Sequence, residues 1–127
     1  MDEQIRHLQA DAEYYFAEGC FINELSNTAQ DPAVSIARAR VAPGVTTRWH
    51  RLRDTIERYV ILAGQGRVEV GGLPAEEVGV GAVVVIPALC PQRISNIGNE
   101  DLVFLAICSP RFRPEAYEDL EEDAGAM

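Results

Sequence analysis

His50, Glu57 and Tyr59 are the side chains of this 127-residue chain whose types and spacing best suit chemistry. An imidazole moves protons near neutral pH or ligates a divalent metal. A carboxylate orients that imidazole or joins it on an ion. Tyr59 follows Glu57 by two positions, so on a strand the two share a face. One arrangement for proton transfer has His50 as general base, Tyr59 as proton donor across a substrate, and Glu57 orienting the imidazole. The plainer reading of Tyr59 is a core aromatic. Arg48 shares the alternation of His50, where its fork would pair with a ligand carboxylate or phosphate; otherwise it is a strand-end arginine reaching solvent. Cys108 is either a pocket-facing thiol or a small core residue. Cys90 lies in a Pro-flanked loop with nothing nearby that clearly lowers its pKa. Trp49, out of phase with His50, is placed to pack on an N-terminal arm or a second subunit.

Positioning these groups requires strands, and the chain is patterned for them. Residues 34–41 alternate, with Arg38 and Arg40 on the face expected to be wet. Further strands are expected over 20–25, 46–52, 57–62, 67–70, 83–86, 92–95 and 102–108, separated by Gly, Pro and polar turns. The apolar β-branched run at 83–86 reads as a buried strand, ended by Pro87. Short strands at this cadence, with little helix between them, predict an all-β sandwich or barrel. Ile5, Leu8, Ala12 and Tyr15 recur at helical spacing and predict a short N-terminal helix or ordered arm. Pro114 opens a short C-terminal helix. The expected organisation is an arm over 1–30, a barrel over 31–110, and a C-terminal helix with an acidic tail over 111–127.

The net charge is −9, and all 11 basic residues are Arg. Phosphate neutralisation needs a basic face, so no nucleic-acid partner is expected. No apolar run approaches the ~20 residues that span a bilayer, and Met1-Asp2-Glu3-Gln4 opens without a basic or apolar leader. Neither a membrane partner nor a signal peptide is expected. Three widely spaced cysteines without CxxC fit reduced thiols. The expected setting is cytoplasmic.

Two segments carry a family resemblance. The first holds Gly44, His50, Leu52, Glu57 and Gly64; the second holds Gly81, Pro87, Leu89, Gln92 and Asn96. Together they resemble the paired motifs of small single-domain cupins, in which Gly, His-x-His, Glu and Gly precede Gly, Pro, Gly, His and Asn. The resemblance implies a double-stranded β-helix, a jelly-roll barrel with its pocket at the centre. It also shows where this chain departs. Leu52 replaces the second His, Gln92 the motif-two His, and Leu89 a Gly.

The resemblance implies an inward cluster of His50, Glu57 and Gln92 as metal donors, with Leu52 closing the fourth side. The ion would be a divalent transition metal (Zn, Fe, Mn or Ni), with a metal-free site equally compatible. Three functions follow. One is a metal-dependent isomerase, lyase or oxygenase acting on a small organic acid, oxygenation being disfavoured by the single His. Another is a metal-free isomerase or epimerase with His50 as base. The third is a small-molecule binding or sensing protein without turnover, favoured by Leu52. A homodimer is also implied, formed through strand edges or exchange of the 20–25 segment.

Overall fold

Alternation in the sequence becomes alternation in burial. In β3 (Ser35–Val41) the side chains of Ala39 and Val41 are buried, while Arg38 and Arg40 point outward to Glu13. Asp101 takes the other side of Arg40. In β5 (Ile56–Ala63), Glu57, Tyr59 and Ile61 turn inward on the same two-residue period.

The computed structural model describes residues 1–121. In chain order the remaining strands are β1 (Tyr14–Phe16), β2 (Cys20–Ser26), β4 (His50–Leu52), β6 (Gly66–Val70), β7 (Glu76–Val78), β8 (Val83–Ile86), β9 (Gln92–Asn96), β10 (Leu102–Ser109) and β11 (Tyr117–Asp119). They form two antiparallel sheets. One runs β1-β2-β3-β10-β5-β8 and the other β11-β4-β9-β6-β7. Their inner faces share one core, to which Val41, Ile61, Ile86 and Phe104 come from the first sheet and Val68 and Ile94 from the second. This is the all-β, jelly-roll architecture expected from the strand cadence.

The turns explain the glycine spacing. Gly44, Gly64 and Gly81 all have positive φ, the left-handed region that favours glycine. At Gly64 space also forbids a side chain, since a Cβ would lie 2.7 Å from the Asp101 carbonyl oxygen. Leu89, standing where the resemblance has glycine, keeps that backbone with φ 64°. The turn therefore survives the substitution at a cost in local strain.

Several elements differ from expectation. The strand expected over 46–52 is regular only at β4; before it Thr46 makes an isolated bridge to Ser95. The 83–86 run is not fully buried. β8 is an edge strand whose Val84 and Ile86 enter the core while Val83 and Val85 are each 60% exposed. The two expected helices are single 3-10 turns, Ala10–Ala12 and Pro114–Ala116, each followed by a short strand. Host pairing decides here, because β1 lies on β2 and β11 on β4. The 20–25 segment is β2, paired with β3 of the same chain. The acidic tail beyond Glu121 lies outside the described residues.

Candidate functional site

Inward positions of both sheets meet at one cavity of about 60 Å³, several times the roughly 10–15 Å³ needed to seat one water. Ala37 and Ala39 on β3 leave the space that larger side chains would fill. β4 contributes His50 and Leu52, β5 contributes Glu57 and Tyr59, and β10 contributes Phe104 and Cys108. Alternation along β4 and β5 thus delivers four of the sequence-derived positions to one place.

His50 is 1% exposed. Its Nδ1 lies 2.7 Å from the Arg48 carbonyl oxygen, and its Nε2 lies 3.0 Å from Glu18 Oε1. The carbonyl and the carboxylate are both acceptors, so each ring nitrogen carries a proton. Burial alone would pull the imidazole pKa down. The hydrogen bond and charge of Glu18, with help from the Arg48 carbonyl and Glu57, outweigh it and raise His50 to about 9. The ring also stacks on Tyr117, with centroids 5.1 Å apart and planes 20° from parallel. His50 is thus an imidazolium neutralised by Glu18.

Glu18 occupies the tight turn between β1 and β2, where Gly19 adopts φ 107° and donates its N–H to Phe16. The Glu18 carbonyl accepts the Arg48 N–H at 2.9 Å, which fixes this turn against the approach to β4. Its second carboxylate oxygen accepts from the Cys20 thiol at 3.4 Å.

Glu57 belongs to a second, separate chain of hydrogen bonds. Tyr59 donates its hydroxyl to Gln92 Oε1 at 2.7 Å, and Gln92 Nε2 donates to Glu57 Oε1 at 2.8 Å. The Cys108 thiol approaches the other Glu57 oxygen at 3.7 Å. Burial, reinforced by the negative charge of Glu18, pushes the Glu57 carboxyl up to about 7 despite His50 and the Gln92 amide. The Tyr59 hydroxyl is driven well above its ordinary range by burial and by Glu57. Gln92 stands behind Glu57 and Tyr59, with amide nitrogen and oxygen both committed to them.

Arg48 lies outside the cavity lining. Its guanidinium reaches Asp119 on β11 at 2.8 Å, so the alternation that placed it beside His50 fails where β4 has not yet begun. Trp49 packs its ring under the Arg93 guanidinium, 4.6 Å from the ring centroid. Glu18, Glu24 and Tyr117 line the cavity and carry no motif signal. The only cue to Glu18 was an acidic residue followed by a turn glycine ahead of an apolar strand.

Residues 37–108 match the cupin domain family, a span that contains both motifs. The chain belongs to the cupin family. An uncharacterised protein of Methanocaldococcus jannaschii is 34% identical to this cupin over 110 residues, covering 85% of this chain and 87% of that one. KdgF from Halomonas sp. superposes with a TM-score of 0.72 at 16% identity, over 83% of this chain and 94% of its own. A chain of the Bacillus subtilis oxalate decarboxylase, an enzyme with Mn(II) centres, superposes with a TM-score of 0.73 at 24% identity, over 87% of the cupin and 30% of itself. At these identities the two structures share the barrel.

The donors that the resemblance implied, His50, Glu57 and Gln92, are each engaged by hydrogen bonds within the barrel. His50 Nδ1 faces the Arg48 carbonyl and Nε2 faces Glu18, so an ion at Nε2 would have to displace the proton shared with Glu18. The Gln92 carbonyl oxygen already accepts from Tyr59. Leu52 adds no donor, and among the described residues no three His, Cys, Asp or Glu side chains converge to hold an ion. What the cavity does present is a buried carboxyl that can hold or release a proton near neutral pH.

Proposed function

We propose that this cupin performs metal-independent proton transfer on a small molecule held in the barrel cavity, as an isomerase, epimerase or lyase, with Glu57 exchanging the proton. The observation that carries this reading is the placement of Glu57: an 8% exposed carboxyl lining the cavity, oriented by Gln92 and poised at about 7. A general acid–base group works best when its pKa lies near the working pH. Tyr59 fixes the Gln92 amide and thereby the carboxyl, which makes both positioning residues. His50, protonated on both nitrogens, supplies a fixed positive charge and is no base below about pH 9.

The test incubates a panel of small carbonyl compounds and amines in D2O and follows deuterium incorporation or elimination by NMR. Turnover that survives EDTA and disappears in Glu57→Gln is expected. Turnover that requires an added divalent metal, or that Glu57→Gln leaves intact, would sink the reading. Leu52 and the largely apolar wall favour a second reading, a binding or sensing protein, which predicts a bound compound with no exchange at all.

The outer face of the first sheet supports pairing with a second copy. Leu105, Val60 and Val83 stand side by side across β10, β5 and β8, and in the next row Ile107 and Val85 flank Arg58. Such a row buries well only against another apolar surface. Light scattering should give the mass of two chains, falling to one in the Val83→Glu, Val85→Glu double variant; a wild-type mass of one chain rejects the pairing. Among the described residues no helix is long and apolar enough to cross a membrane. The thiols of Cys20 and Cys108, each held against a carboxylate, support a reducing, cytoplasmic setting.

A further inference from the structure

The cavity has a charge and a wall chemistry that the proton-transfer reading does not use. Its walls are aromatic: Phe16 and Tyr117 meet edge to face near His50, Tyr59 packs on Phe104, and Tyr14 and Phe112 stand farther along. Three carboxyl groups line it, those of Glu18, Glu24 and Glu57, against a single positive group, His50. Glu18 and His50 cancel at 3.0 Å. Glu24, a solvent-exposed lining residue that accepts from the Tyr14 hydroxyl at 3.4 Å, and the buried Glu57 remain. No arginine is part of the lining; Arg48 pairs with Asp119 and Arg111 donates to the Asn27 side-chain oxygen. A carboxylate ligand would therefore enter a negative cavity and find no open cationic donor.

A second and independent observation marks where a ligand would be held. The Tyr117 hydroxyl is buried and has no hydrogen-bond partner, one of only two such side-chain atoms among the described residues. Buried polar atoms without partners are rare in native structures, and this one belongs to a residue that lines the cavity, where a group on a ligand could complete it. A phenol oxygen both accepts and donates, so it can take an ammonium N–H.

We propose that the cavity binds a small organic cation, a primary ammonium on a short body. Its charge is held among aromatic faces and the Glu24 and Glu57 carboxyls, and its N–H groups complete the Tyr117 hydroxyl. Aromatic faces attract cations through their quadrupole, more strongly once water is excluded. The volume of about 60 Å³ restricts the body to a few heavy atoms. This names the substrate class for the proposed proton transfer and rests on that reading only for the word substrate; binding is independent of turnover.

The experiment is calorimetric titration of the full chain at pH 7.5 with ethylamine, propanol and propionate, close in size and different in charge. Ethylamine is expected to bind at least tenfold more tightly than propanol, and propionate not to bind. Tyr117→Phe, which keeps the ring stacked on His50, should weaken ethylamine about tenfold, and Glu24→Gln should weaken it further at low salt. Propionate binding as well as ethylamine, no binding of ethylamine in the millimolar range, or Tyr117→Phe binding like the wild type each overturns the cation assignment. None of those outcomes touches the deuterium-exchange test of Glu57, so the two readings fail separately.

Discussion

Glu57→Gln is expected to stabilise the protein at pH 8 by about 3 kcal/mol while removing the proton transfer proposed for it. Glu57 titrates at about 7 in the folded protein against an ordinary value of 4.5. Its folded value is raised, so the native state holds the proton more tightly than the unfolded chain. The resulting stability is fully present below about pH 4.5. It drains away as pH climbs and is gone once pH passes 7, because a charged carboxylate must then stay in an apolar cavity. A shift of this size at about 1.4 kcal/mol per pH unit gives the stated magnitude. Gln keeps the shape and an oxygen to accept from Gln92, and it never ionises. Urea unfolding at pH 5 and pH 8 measures both chains. The wild type should lose about 2.5 kcal/mol more than the variant across that interval, the rest having gone below pH 5; parallel losses would show that Glu57 does not titrate as its burial demands.

That exchange of stability for a titratable group is what the sequence displayed only in part. The scaffold was legible because its signals are local. Gly44, Gly64 and Gly81 mark left-handed turns, and alternation fixed the shared faces of His50 with Leu52 and of Glu57 with Tyr59. The departures Leu52 and Gln92 were legible too, though not their consequence. Gln92 reads as a weak ligand in sequence, whereas in the barrel its amide bridges Tyr59 and Glu57. The groups that decide the charge of the site were hidden because their placement is tertiary. Glu18 reaches His50 only because the β1–β2 turn folds against the segment before β4. Tyr117 reaches it because β11, too short to announce itself by periodicity, is held in place by β4. Arg48 failed in the opposite sense. Strand alternation was extended to it from β4, yet the strand starts only at His50, and an acidic partner on β11 took its side chain.

His50→Ala is expected to be the most damaging single change at the site, costing about 3–5 kcal/mol. The cost arises from what is left behind. Glu18 is 8% exposed and lines the cavity, and without the imidazolium its carboxylate keeps the Cys20 thiol and loses the positive charge that faces it at 3.0 Å. Removing one partner of a buried pair is worse than removing both, since the survivor keeps its desolvation penalty. The vacated ring space beside Tyr117 adds a cavity term. Combining His50→Gln with Glu18→Gln should therefore recover most of the stability lost in His50→Gln alone, as two neutral amides can bond each other across the same 3.0 Å gap. The four chains of that cycle, unfolded in urea at pH 7, give the coupling directly. A coupling near zero would mean that the pair does not share its charge. A coupling of several kcal/mol would show that Glu18 holds the buried imidazole in one orientation and one charge state.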